Sequence, residues 1–347
     1  MATSVALEQK ESTKKILGEV FEILKAQNYL SKEEQKSWSS NLSQIRRNLR
    51  PANLGIIGRN LLSDSGLPTS LLVNPADPDW LVTQNRRIPW LGVLVKRKGS
   101  QWFVKTVFPK TPADKAGIKR GDQLLEWNQK PFTLTAVRLG KAGKHQIKWR
   151  SFPWTQPKSQ IITLQTEVPA KLLLNYSITS SQSFMRGPSK GRYIHLWINS
   201  NLAQIELTKQ VNEAISAHES IIIDLRDSFS DFSSSLKPEL KNAINKLGKV
   251  SRIIGIVNPL TQGPGVEIAR QIQKTKNGII IGSSTDSFYR TEKLIALKEK
   301  HWFLRIPETK GSLENSVRPD KIISHPLVYA GGQDEIIPEA LSLLEGN

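Results

Sequence analysis

The stretch Ile221-Ile222-Ile223-Asp224-Leu225-Arg226 opens with three consecutive β-branched residues and closes on a carboxylate and a guanidinium two positions apart. A short, unbroken apolar run of this kind predicts a strand over 221–225. Upstream, Tyr193 to Ile198 reads as a strand and Leu202 to Ala217 as a helix. Downstream come a helix from Leu236 to Leu247, a strand from Ile253 to Val257 and a helix opening near Gly265. Gly278 to Ile281 is a further apolar strand. Strands that alternate with helices argue for a sheet with crossover helices.

Further upstream the pattern changes. Leu91 to Val95 and Trp102 to Val107 read as strands, followed by Thr111-Pro112-Ala113-Asp114-Lys115-Ala116-Gly117-Ile118. Thr111 suits an N-cap, Pro112 the first helical position, and Gly117 the end of a helix of one or two turns. Gly121-Asp122 is a turn into a strand from Gln123 to Trp127. After a strand at Ile161 to Leu164 a boundary falls near Val168. At the N-terminus Ile16, Val20, Ile23 and Leu24 recur at helical spacing. Ser31 and Glu34 form a capping box for a second helix whose stripe is Trp38, Leu42, Ile45 and Leu49. Pro51 and the run from Ser63 to Pro78 read as loop. The chain is therefore expected to hold a helical region over 1–85, a β-rich domain over 86–166 and an α/β domain over 167–347, α+β overall.

Composition fits a globular protein: 38% of residues are hydrophobic, with nine Trp and ten Phe. The net charge is +18, and residues 86–150 hold sixteen basic against three acidic side chains, +13 in that stretch alone. Such a field attracts anionic partners. The absence of Cys removes disulfides, thiolate metal sites and a Cys nucleophile together. The five His are scattered without metal-ligand spacing, and no phosphate-binding Gly-rich motif occurs, so no metal or cofactor is expected. No window approaches the ~20 apolar residues of a membrane span. Residues 1–15 lack an apolar leader segment, which reads as cytoplasmic, or as an exported compartment if a leader has been removed.

Two ordered sets of motifs carry a resemblance. Trp90-Leu91-Gly92-Val93, followed by the Thr111 to Ile118 segment and Gly121-Asp122, resembles a PDZ domain. Gly191-Arg192-Tyr193-Ile194, the Ile221 to Arg226 strand, Ile253 to Asn258, Gly278 to Gly282, Arg318-Pro319-Asp320 and the helix Ile336 to Leu344 resemble the C-terminal processing (tail-specific) serine peptidases. The resemblance covers roughly residues 86–347 and implies a ClpP/crotonase-like α/β peptidase core beside a PDZ domain. It also implies that Leu91, Gly92 and Val93 bind a peptide carboxylate, with Arg86 and Arg87 supplying charge.

The same resemblance points to lost chemistry. The family's nucleophilic Ser lies three residues before a Glu. Here that Glu is Glu267, so the nucleophile position is Pro264. The position of the family's basic Lys falls on Phe288. The Gly-rich turn that helps to hold an oxyanion is replaced by Asp227-Ser228-Phe229-Ser230-Asp231. A side chain without a nucleophile and one unable to accept a proton close the covalent route. The expected function is therefore an inactive homologue that binds protein C-terminal tails, acidic ones included, as an adaptor or regulator. It would act alone, as a homo-oligomer or with active relatives. An active serine-type peptidase using Ser283, Ser284 or Thr285 with Lys293 is the alternative reading. Nucleic-acid binding through Trp90, Trp102, Trp127, Trp149 and Trp154 is a second, weaker one.

Overall fold

The structure, a computed structural model, describes residues 15–48, 71–73, 87–138, 140–186, 189–199, 201–230, 236–250, 252–261, 263–285, 292–298, 302–307, 316–324 and 327–344. The chain forms two compact units. One comprises Met1–Trp80 and Phe288–Asn315, the other Leu81–Ser287 and Ser316–Asn347.

In the first unit a helix over 15–26 (α1) is followed by α2, Lys32–Asn48. The capping box is formed: the Glu34 amide donates to the Ser31 hydroxyl at 3.2 Å, and the Ser31 amide donates to the Glu34 carboxylate at 2.7 Å. Ile16, Val20, Leu24 and Trp38 are buried as the helical spacing requires. They pack with Leu297, Leu304 and Ile306 of an antiparallel hairpin, Glu292–Ala296 and Phe303–Pro307. The side chains of Leu42 and Ile45, like Leu49 and Pro51, lie outside the described residues. One expectation is corrected here: Leu71–Val73, inside the run read as loop, is a strand paired antiparallel with Phe303–Arg305. Its three apolar residues are too few to stand out between Ser and Pro neighbours. Pairing with a segment more than 200 positions away makes them a strand.

The second unit begins with an antiparallel sheet. Its strands are β1 (Val93–Lys98), β2 (Gln101–Val107), β3 (Gln123–Trp127), β4 (Gly143–Arg150) and β5 (Lys158–Leu164), hydrogen-bonded in that order. A sixth, short strand at Lys130–Pro131 pairs with β3. Helix α3, Pro112–Lys115, follows β2, and α4, Leu134–Arg138, precedes β4. Thr111 caps α3 with Pro112 in its first turn, as its sequence predicts. Leu91, Val93, Val104, Ile147, Trp149 and Leu164 fill the interior. β1 and β5 are the two edges of this sheet.

Helix α5 (Pro169–Thr179) leads into β6 (Gln182–Arg186) and β7 (Ser189–His195). Then follow α6 (Asn201–Ser216), β8 (Ser220–Asp224), α7 (Pro238–Val250), β9 (Ile253–Val257), α8 (Pro264–Gln273), β10 (Gly278–Gly282), β11 (Lys321–Ile322) and α9 (Ile336–Leu343). The sheet order is β6-β7-β8-β9-β10-β11, parallel except for β6. Every residue of β9 is buried because both faces of the sheet are covered. Ile222, Ile254, Ile256 and Ile281 meet Ile336 and Ala340 of α9, while Gly255 faces Ile272 of α8. The carboxyl ends of β7, β8, β9 and β10 thus line up at one rim, where a parallel α/β sheet places its site.

Candidate functional site at the rim of the parallel sheet

β8 carries Asp224, with no exposed surface, to this rim, and the chain turns immediately so that Arg226 folds back on it. The Asp224 carboxylate accepts the Arg226 amide at 3.0 Å and the Arg226 Nε at 2.9 Å. It also accepts the Tyr193 hydroxyl at 2.9 Å. Arg226 donates through Nη1 and Nη2 to both oxygens of Asp334, at 3.1 and 2.8 Å. One guanidinium is therefore clamped between two carboxylates, each pair held by more than one bond. Burial alone would raise the Asp224 carboxyl, yet the Arg226 charge holds it far below the usual carboxylate range. Burial would likewise lower Arg226, and Asp224 and Asp334 instead raise it well above its ordinary value.

His195 ends β7 against this cluster. Its Nε2 lies 3.0 Å from the Arg226 carbonyl, and its ring stacks on Trp197 with centroids 3.4 Å apart. Burial pushes its pKa down and outweighs the attraction of Asp224, so the ring is neutral near pH 7. With Nε2–H donating to that carbonyl, His195 acts as a satisfied core residue.

The next rim position is Asp227. It adopts φ 57°, a left-handed conformation that side chains rarely take. Its carboxylate pairs with the Lys105 ammonium from β2 and accepts the Asn258 Nδ2 at 2.8 Å. The Asn258 side-chain oxygen in turn accepts the amides of Leu260 and Asp227, at 3.0 and 3.3 Å. Thr261 donates to the Leu225 carbonyl at 2.9 Å. The two turns that leave β8 and β9 are stitched together by side chains. Asp231 lies outside the described residues.

After this turn α8 begins at Pro264, with Gly263 at its N-cap in a left-handed conformation, φ 52°. Pro264 and Gly265 are buried, and Gly263 provides no capping side chain. Neither Pro264 nor Gly265 carries a hydroxyl, thiol or amine. Phe288 lies outside the described residues. Thr285 is buried, and its hydroxyl accepts the Val317 amide at 2.9 Å while its own amide donates back to the Val317 carbonyl. Ser284 is exposed and Ser283 half-buried. The Lys293 side chain is not among those described.

The photosystem II D1 C-terminal processing protease matches with a TM-score of 0.51 at 15% identity, over 93% of this chain and 98% of that one. The fold is that of the C-terminal processing proteases. Mature CPAF matches with a TM-score of 0.53 at 10% identity, over 98% and 99% of the two chains. A putative S41 protease from Bacteroides fragilis matches at 0.51 and 11% identity, over 76% and 84%. At these identities the likeness is one of fold. No protein-family model matches the sequence, and no curated protein matches it. The rim of the parallel sheet is thus a protease-fold rim whose turns are occupied by an ion pair, an Asn bridge and a proline.

The β1 edge holds the other residues singled out in the sequence. Leu91, Gly92 and Val93 are buried. The Leu91 carbonyl accepts the Ala113 amide at 3.0 Å and the Gly92 carbonyl the Phe108 amide at 2.9 Å. Gly92 has φ 86°, and a Cβ there would fall 2.1 Å from Thr111, so only glycine fits. The amides of Leu91 and Gly92 donate to nothing among the described residues. Arg87 is exposed, and Arg86 lies outside the described residues. Trp90, Trp127 and Trp149 are buried at 3, 5 and 2% exposure, Trp102 is half-buried, and Trp154 is 80% exposed. Three of the five tryptophans therefore belong to the interior rather than to a stacking surface. No group of three or more metal-ligating side chains occurs among the described residues. No helix there is long and apolar enough to cross a membrane.

The Asp227–Lys105 pair and the Asp224–Arg226–Asp334 clamp were invisible in the sequence. Asp224 and Arg226 stand two positions apart, but nothing local connects them to Asp334, or Asp227 to a lysine on a different sheet.

Proposed function

We propose that this chain is a catalytically inactive relative of the C-terminal processing proteases that binds protein C-terminal tails, as an adaptor or a regulator of active relatives. The observation that carries the reading is Pro264: the position assigned to the nucleophile is a buried proline at the first turn of α8. A covalent route needs a nucleophile and an acceptor for its proton, and proline supplies neither. The Asp227 carboxylate gives independent support. An oxyanion hole presents free donors to a developing negative charge, whereas this carboxylate takes up the Lys105 ammonium and the Asn258 amide as its own partners.

Residues 86–166 read as a PDZ domain, and their geometry supports tail recognition. With the carbonyls of Leu91 and Gly92 committed inward, the two consecutive amides remain as donors suited to a terminal carboxylate. The +13 stretch around them favours acidic ligands and should raise the on-rate most of all. The test is fluorescence anisotropy of one acidic peptide with a free and with an amidated C-terminus. The free form should bind at least about tenfold more tightly, the ~1.4 kcal/mol of a charge-assisted contact. Equal affinity for the two would remove the loop's role.

A further inference from the structure

The opposite edge of the β1–β5 sheet carries a second feature. A cleft of about 440 Å³ lies between β5 and α3. Gln160, Ile161, Ile162 and Thr163 all border it. Successive residues of a strand point to opposite faces, so consecutive lining residues mean that the strand's edge, not one of its faces, forms the wall. That edge is open: β4 covers one side of β5, and no strand pairs with the other among the described residues. Ile161, 66% exposed, stands on it.

The floor is apolar and rigid. Trp90 and Tyr176 both contact Phe108, at centroid distances of 6.0 and 5.1 Å, and Phe108 meets Trp197 at 4.9 Å. Tyr176 is further held by its hydroxyl, which donates to the Pro109 carbonyl at 3.1 Å. The mouth is charged. Lys110 and Lys115 line it, both exposed and neither in an ion pair among the described residues. The carboxylates of Glu167 and Asp114 act on the Tyr176 hydroxyl beside them, and the surrounding stretch of residues 86–150 carries +13. Lys110 has a left-handed backbone conformation, φ 62°, and its amide donates a hydrogen bond to the Asp114 carboxylate at 2.7 Å.

We propose that this cleft is a second peptide groove, in which an acidic, extended segment of a partner protein adds as a strand to the free edge of β5. One apolar side chain of the partner sits against Trp90, Leu172 and Tyr176, and flanking carboxylates face Lys110 and Lys115. Strand addition uses the backbone donors and acceptors that an open edge presents, and the preformed wall avoids the cost of ordering side chains. A second copy of this chain fits poorly, because two surfaces of the same positive sign would meet. The groove needs no free C-terminus, which separates it from the Leu91–Gly92–Val93 loop.

The test uses a fluorescent peptide of alternating valine and glutamate, blocked at both ends, titrated against the full chain. It should bind, and Lys110→Glu with Lys115→Glu should weaken it at least tenfold while an unblocked tail peptide without acidic residues keeps most of its affinity. N-methylation of alternate peptide amides should abolish binding without any change to the protein. Both substitutions are at exposed positions, and an unchanged melting curve checks that the variant folds. No binding of the blocked peptide overturns the proposal. So does equal affinity for the double variant or for the N-methylated probe. Self-association that the double variant dissolves would also overturn it, in favour of a second copy as occupant.

Discussion

The ends of β8 and β9 are neighbours on one parallel sheet, yet they have been built for different ends. At β8, Asp224 and Arg226 are fully committed to each other, with Asp334 closing the cluster. At β9, the turn that follows the strand bonds through Asn258 to Asp227 and through Thr261 to Leu225 before a proline starts the helix. The first is a buried ionic joint whose loss would harm the fold. The second is the turn that leads to Pro264, where Asn258 and Thr261 tie one loop to the next. A fold can keep its joints and lose its reaction when the residues that hold the rim together differ from those that would act on it.

Substitution at the β8 joint should give the largest effect. Arg226→Ala leaves Asp224 buried beside Asp334 without a counter-charge. Removing one partner of such a cluster should cost about 3–5 kcal/mol, read as a lower midpoint in urea unfolding with an unchanged slope. Neutralising both acids with Arg226 in place, Asp224→Asn with Asp334→Asn, should also destabilise, because Arg226 would then be the buried unpaired charge.

Acid should loosen the same joint by a smaller amount in its first stage. His195 is held neutral, with its folded pKa below the ordinary 6.5, and Asp224 is held below the ordinary 3.8. Both folded values are depressed, so their contributions are complete above the unfolded values and are lost as pH falls. Thermal stability should begin to drop below about pH 6.5, and drop again below about pH 4. His195→Phe should flatten the first stage and leave the second.

Much of this fold was legible. The strand at Ile253 to Val257 matches the observed element residue for residue, and the helix expected near Gly265 starts at Pro264. These succeed because an unbroken β-branched run and a Gly-Pro start are local signals. The Leu71–Val73 strand was missed because its partner is remote in sequence. The rim was half legible. The resemblance points to Pro264 through Glu267 three positions on, while the Lys105–Asp227 pair joins residues 122 positions apart and left no local trace.

That pair gives the next prediction. Lys105 is 18% exposed and Asp227 7%, between a surface pair and a buried one. Lys105→Met should destabilise by about 1–2 kcal/mol, and Asp227→Asn in the same background should recover part of it. Full additivity of the two substitutions would mean that the pair does not couple.

The smallest effect is expected at β9. Pro264→Ser removes a proline that restricts the unfolded chain, at a cost of about 0.4–1 kcal/mol. It should not create activity, because the Asp227 turn remains.

The central claim is that this protease fold holds its substrate class without cutting it. Its most direct test is to incubate the purified chain with an unstructured polypeptide ending in an acidic tail, then weigh both by mass spectrometry after treatment with a fluorophosphonate. The account predicts an uncut polypeptide and a chain without adduct. Cleavage that disappears on replacing Ser283, Ser284 or Thr285 with alanine would contradict it.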